Sequence, residues 1–127
     1  LSQQEVQAKL ERWASAFADL TTANICALYD DNASLWGTVS SRKRDSPELI
    51  KDYFSQIFTF EDRQVQINSS DIRIFGNVAI CNGLYTLHWN KDGKTLTTSA
   101  RFSIVYRKQN RGWLIVEHHS SAVPTEL

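Results

Sequence analysis

Three short turn signals in the second half of the chain constrain its fold most. Gly76-Asn77, Asp92-Gly93 and Asn110-Arg111-Gly112 are residues that tolerate positive φ, and each separates two stretches rich in β-branched and aromatic side chains. A chain punctuated in this way turns back on itself. Residues 63–75, 78–90, 95–108 and 113–121 are therefore expected as a four-strand antiparallel meander.

Upstream the apolar period changes from two to between three and four. Val6, Leu10, Trp13, Phe17 and Leu20 fall on one stripe of a long amphipathic helix, with Ser2 and Glu5 at capping-box spacing. Thr21 or Thr22 offers a cap for a short second helix through Leu28 and Tyr29, closed by the turn-forming run Asp30-Asp31-Asn32. Ala33 to Thr38 reads as a short strand and Ser40 to Asp45 as a polar loop. Ser46 and Pro47 then open a third helix, with Leu49, Ile50, Tyr53, Phe54, Ile57 and Phe58 on its apolar face. Helices first and hairpins after them mean an α+β fold, three N-terminal helices against an antiparallel sheet. With 127 residues and no repeat, low-complexity tract or linker, residues 1–127 are expected as a single domain.

The charges balance, 14 basic against 14 acidic, which gives no reason to expect nucleic acid or an anionic membrane as partner. The run Arg42-Lys43-Arg44 is diluted at once by Asp45 and reads as a solvated loop rather than a phosphate site. No apolar run approaches the roughly 20 residues that cross a bilayer. A cytoplasmic location is the expectation, weakly constrained because the sequence starts at Leu1. Cys26 and Cys81 stand far apart in apolar surroundings and read as free buried thiols. The triplets at Asn32 and Asn68 fit a glycosylation pattern that is common by chance. There is no metal-ligand spacing, dinucleotide fingerprint, phosphate loop or Ser-His-Asp motif, so no metal and no cofactor is expected.

The strands carry the functional argument. On the last one Trp113 and Ile115 lie opposite Leu114 and Val116; on the second, Ile80 and Leu84 lie opposite Cys81, Tyr85 and Trp89. Two apolar faces need two coverings. The helices supply one, and a second copy of the chain is the economical source of the other, which predicts a homodimer or a larger ring. On the third strand Thr97, Ser99, Arg101 and Ser103 share a face opposite Phe102, Ile104 and Tyr106. That hydroxyl-rich row either meets water or lines a cavity in which Arg101 would hold a carboxylate by two parallel hydrogen bonds. His118-His119 is the local pair with acid–base potential. Neighbours on a strand point to opposite faces, so one of the two enters a pocket unless a bulge intervenes.

Residues Trp113 to Pro124 (WLIVEHHSSAVP) resemble the C-terminal strand of SnoaL-like proteins in the nuclear transport factor 2-like superfamily. They also resemble the association (hub) domain of calcium/calmodulin-dependent protein kinase II. The likeness extends to Ala33–Thr38, to the Ser46-Pro47…Tyr53-Phe54 helix and to the Arg101 strand, with the elements in matching order. The resemblance implies a cone-shaped fold with a deep pocket between helices and curved sheet, and dimers formed sheet to sheet. It places Arg101 on one of the hub's cavity arginines, with Tyr85 and Ser120 where two others stand, and it matches His119 to a hub histidine. His119 is accordingly the favoured acid or base, and Glu117, on its nominal face, would orient it or bind Arg101. Trp36, Tyr53, Tyr85 and Trp89 would wall the cavity around a small acidic or aromatic ligand. Asp30 and Asp31 could supply the carboxylate base that superfamily isomerases use, although their turn places them in solvent. Two functions remain open at this point. One is a non-catalytic oligomerising and ligand-binding module. The other is a cofactor-free isomerase, cyclase or dehydratase using His119 and Arg101.

Overall fold

A computed structural model describes residues 1–127. In chain order the elements are α1 (Ser2–Ala16), α2 (Ala23–Cys26), β1 (Tyr29–Trp36), α3 (Pro47–Ile57), β2 (Glu61–Phe75), β3 (Val78–Lys91), β4 (Lys94–Gln109) and β5 (Gly112–Ala122). The turn signals act as expected. Gly76 has φ of 61°, Asp92 and Gly93 have 53° and 78°, and Gly112 has 90°, each inside the region that disfavours a β-branched residue. Strands β2, β3, β4 and β5 pair in sequence as antiparallel neighbours.

The sheet is nevertheless mixed. Its order is β1-β5-β4-β3-β2, and β1 runs parallel to β5. Strand β1 also starts at Tyr29, so the expected second helix is shorter and Asp30-Asp31-Asn32 lies within a strand rather than in a turn. Turn chemistry is present there all the same: Asp30 Oδ1 accepts the Asn32 N–H at 2.8 Å, where the β1–β5 register is interrupted between Tyr29 and Ser34.

One face of the sheet packs against the helices. Val6, Leu10, Trp13 and Ala16 of α1 and Ile50, Tyr53, Phe54 and Ile57 of α3 are buried on Ala79, Cys81, Tyr85, Leu87 and Trp89 of β3 and on Ala100, Phe102, Ile104 and Tyr106 of β4. Each large side chain in this cluster contributes about 1.5–3 kcal/mol by leaving water. The free Cys81 thiol is buried and its pKa is pushed up to about 11 by that burial; the free Cys26 thiol is half-buried. No helix is long and apolar enough to cross a membrane.

Helix ends depart from the simple periodic reading. Helix α1 stops at Ala16, and Leu20 is almost fully exposed. Ser2 makes no cap, and Glu5 instead accepts a hydrogen bond from Trp113 Nε1 at 3.1 Å, tying α1 to β5. Carbonyls left unpaired where α1 and α3 end are collected by one side chain. Arg63 donates to Phe17 O at 3.1 Å, Phe58 O at 3.2 Å, Phe60 O at 2.6 Å and Asp19 O, while its guanidinium sits 4.0 Å from the centre of the Phe58 ring.

The decisive irregularity lies in β5. Tyr106 pairs with Ile115 and Val105 with Glu117, so β5 spends two steps where β4 spends one. Val116 is the extra residue of a β-bulge. Trp113 and Ile115 face the helices before it, and His118 and Ser120 face them after it.

Candidate functional site

Without that bulge, alternation from Trp113 and Ile115 would bring Glu117 and His119 to the inner face. With it they turn outward, and His118 takes the inner position. His118 is 1% exposed, and His119 is exposed. The favoured histidine is therefore corrected from His119 to His118 as the one inside.

The inner histidine is held on both ring nitrogens. Tyr29 Oη lies 2.8 Å from Nδ1 and Tyr85 Oη 3.3 Å from Nε2. Trp13 Nε1, which can only donate, reaches Tyr29 Oη at 3.0 Å, so the Tyr29 hydroxyl proton is free to point at Nδ1. Nε2 then carries the imidazole proton toward Tyr85, an assignment that follows from the order of donors. Trp13 stacks on Tyr85 at 5.3 Å with planes 12° apart, and Tyr85 stacks on Phe102 at 4.5 Å. Burial, with a smaller contribution from His119, lowers the His118 pKa to about 3, and burial raises the hydroxyl pKa values of Tyr29 and Tyr85. At neutral pH this is an uncharged relay, and none of its members is a carboxylate.

Little space adjoins it. The enclosed cavity bounded by Trp13, Tyr53, Tyr85, His118 and Ser120 measures about 10 Å³, room for one water. Thr38 and Ser120 close one wall by a hydroxyl–hydroxyl hydrogen bond. Tyr53 closes another. Its ring lies so near Gly37 that a Cβ there would stand 2.2 Å from Tyr53 Cζ, so the glycine makes room for the ring.

On the other side of Tyr53 is a larger recess of about 330 Å³. It is framed by the β1–α3 connection, the later part of α3 and the β3–β4 hairpin, and it contains Trp89 and Arg44. Arg44 is 4% exposed, far from a solvated loop residue. Two backbone hydrogen bonds, Leu35 N–H to Arg44 O at 2.8 Å and Arg44 N–H to Leu35 O at 2.9 Å, pin the loop to β1. Its side chain donates to Asp52 Oδ2 at 2.7 Å and Leu49 O at 3.0 Å. Nothing local in the sequence marks this residue, because its acidic partner lies eight positions away on α3.

The remaining expected site residues are on the outer face. Arg101 donates to Ser121 Oγ at 3.4 Å, and its neighbours across the shallow depression are Ser103 and His119. Trp36, expected as a cavity wall, is the cross-strand partner of His119 and is 39% exposed. It follows Leu35, which points inward, so alternation sends it out. Glu117 is on the same outer face. Arg101 and His119 thus come together, but on the side of the sheet away from Tyr53, Tyr85 and Trp89. Asp30, expected in solvent, is 7% exposed; Gln109 and the Asn32 N–H bind its carboxylate and lower its pKa, with Arg107 at 3.8 Å. Asp31 is exposed. No cluster of three or more His, Cys, Asp or Glu side chains is placed to hold a metal ion.

Residues 2–124 match the sequence family described as the calcium/calmodulin dependent protein kinase II association domain. The chain belongs to the kinase II association-domain family. Among solved structures, this association domain is similar to one from Xanthomonas campestris that is described by the same family name. The two share 35% identity over 96% of this chain and 88% of that one, with a TM-score of 0.88. A nuclear transport factor 2-like superfamily protein from Salmonella enterica serovar Typhimurium gives 0.88 at 19% identity, covering 99% of this chain and 94% of that one. The hub homology domain from Chlamydomonas reinhardtii gives 0.77 at 20% identity, covering 98% and 100%. No curated protein matches this association domain. Its fold is the α+β fold of the nuclear transport factor 2-like superfamily.

Proposed function

We propose that this association domain is a self-associating module that joins copies of itself through the outer face of its sheet, with an interior that is structural rather than catalytic. The outer face carries the reading. Arg101 and Glu117 stand on it with no ion-pair partner in their own chain. Glu117 is four residues along β5 from Ser121, the residue paired with Arg101, a separation of about 13 Å at strand rise, too far for them to meet. A two-fold axis passing midway between them would bring each Arg101 to the partner's Glu117, and the symmetry of such an interface would make that pair twice. Between and around them lie exposed Trp36 and Leu84 and half-buried Ile80 and Val105, apolar surface that a second sheet would cover. Leu114 is already buried within the chain, so it adds nothing to the surface on offer.

The structural interior follows from the relay. His118 has both nitrogens occupied and adjoins a space fit for a single water, so a small-molecule ligand would enter the recess beyond Tyr53 rather than the interior. The enzyme reading retains the meeting of Arg101 and His119, but their depression is open and lacks the enclosing walls that make such a pair effective.

Sedimentation and light scattering across micromolar concentrations test the proposal. The wild-type chain is expected to be at least dimeric. Arg101→Glu should weaken association more than about tenfold by opposing two carboxylates, and Glu117→Arg in the same chain should restore it. A wild-type species that stays a single chain throughout the range overturns the reading.

A further inference from the structure

We infer that the association contact holds a divalent transition-metal ion of the zinc type between His119 and the partner's His119. The inference rests on the outer-face association proposed above and names a ligand for that face. One chain supplies one imidazole, so the site is incomplete without the second copy.

Symmetry is the first argument. Asn82, Ser103, His119 and Trp36 are cross-strand partners and form one row over the outer face. Arg101 lies two residues along β4 to one side of this row, level with Ser121. Glu117 lies two residues along β5 to the other side, level with Val105. The row is therefore the line midway between them. When two sheets pack face to face by a two-fold rotation, the axis lies between the sheets, and residues on it meet their own copies. The axis that gives each Arg101 the partner's Glu117 runs along this row, so His119 meets the partner's His119.

The free imidazole is the second. His118 has both ring nitrogens engaged, and His88 Nδ1 lies 3.1 Å from Thr97 Oγ1. His119 is exposed, makes no side-chain hydrogen bond within the chain and joins no ion pair. Face-to-face sheets stand about 10 Å apart, a gap that one imidazole from each side can bridge with an ion about 2.0–2.1 Å from each nitrogen. Imidazole suits zinc, nickel and copper, whereas magnesium takes oxygen ligands.

The surroundings are the third. Glu117 is on the same face two residues before His119. A carboxylate that gives one oxygen to the partner's Arg101 keeps the other for the His119 ring N–H, the usual support of a metal-bound histidine. The depression between Arg101, Ser103, His119 and Ser121 measures about 370 Å³, which leaves room for waters to complete a four-coordinate shell.

The test is sedimentation of the full chain at about pH 8, where imidazole is neutral, in zinc chloride, in magnesium chloride and in EDTA. Zinc is expected to tighten dimerisation about tenfold over EDTA, with one ion bound per two chains, and magnesium to leave it unchanged. His119→Ala should abolish the difference between zinc and EDTA, whatever it does to association itself. His88→Ala, which removes the other outer-face histidine, should leave that difference as in the wild type. Wild-type chains that dimerise equally in zinc and in EDTA overturn the metal site and leave the association reading standing. Chains that are single in EDTA and dimeric in zinc through His119 support the site and overturn metal-independent association. Chains that stay single in both overturn the two together. A zinc effect that survives His119→Ala overturns the site alone.

Discussion

His118 and His119 are neighbours in the chain and opposites in every physical respect. One is sealed between two tyrosines on the helix-covered side of the sheet, with a pKa lowered to about 3. The other is exposed beside Trp36, Ser103 and Arg101 on the open side. Strand alternation separates them, and the register of β5, set by the extra residue Val116, decides which one is inside. The comparison teaches that a histidine in this fold is a structural or a surface element according to which wall it meets. The sharpest way to break the comparison is His118→Ala. Removing the ring opens a hole in the core and leaves the Tyr29 and Tyr85 hydroxyls facing it, which should cost about 3–5 kcal/mol in urea unfolding. A loss below about 1 kcal/mol would mean the relay is not what holds this part of the core.

Acid should expose the same difference more gently. In the unfolded chain His118 takes up its proton near about 6.5, whereas in the folded chain it does so only near about 3. Between those values the unfolded state binds more protons, so the stability contributed by neutral His118 is complete above about 6.5 and is lost as pH falls, by roughly 1 kcal/mol per pH unit. Asp30 and Glu5, with pKa values lowered by their hydrogen bonds, work in the same direction but only below about 4.5, so the window from about 6.5 to 5 isolates the histidine. Urea midpoints should decline across that window in the wild type and stay nearly level in His118→Gln. An equal decline in both would assign the titration elsewhere.

The legible and illegible parts of the molecule divide along a physical line. Positive-φ turn residues and the three-to-four period of α1 and α3 are local signals, and local signals give the meander, the two main helices and the inner places of Tyr53, Tyr85 and Trp89. The strand expected over Ala33 to Thr38 is β1, but its first half was hidden because Asp30-Asp31-Asn32 has turn chemistry that is satisfied inside a strand, and its parallel pairing because the partner is contributed by the far end of the chain. Arg63 and Arg44 look like surface charges. Only tertiary packing brings helix-end carbonyls to the first and Asp52 to the second. The bulge at Val116 defeats the choice between histidines for a related reason. Alternation is a rule about residues, and a bulge changes the count without changing any residue's character.

The smallest expected effect is His119→Ala, and it is informative for being small. Self-association adds its own free energy to unfolding, so the variant belongs in the Arg101→Glu background, where the contribution of a partner copy is reduced. There His119 touches neither the helices nor the relay, and its removal should alter unfolding by no more than about 0.5 kcal/mol. In the otherwise wild-type chain the same substitution strips a side chain from the centre of the proposed contact, between Trp36 and Ser103. Association, read by sedimentation, should then weaken while the fold does not. If His119→Ala destabilises the weakened-association background as strongly as His118→Ala does, the outer face is part of the folding core, and the division between the two faces falls.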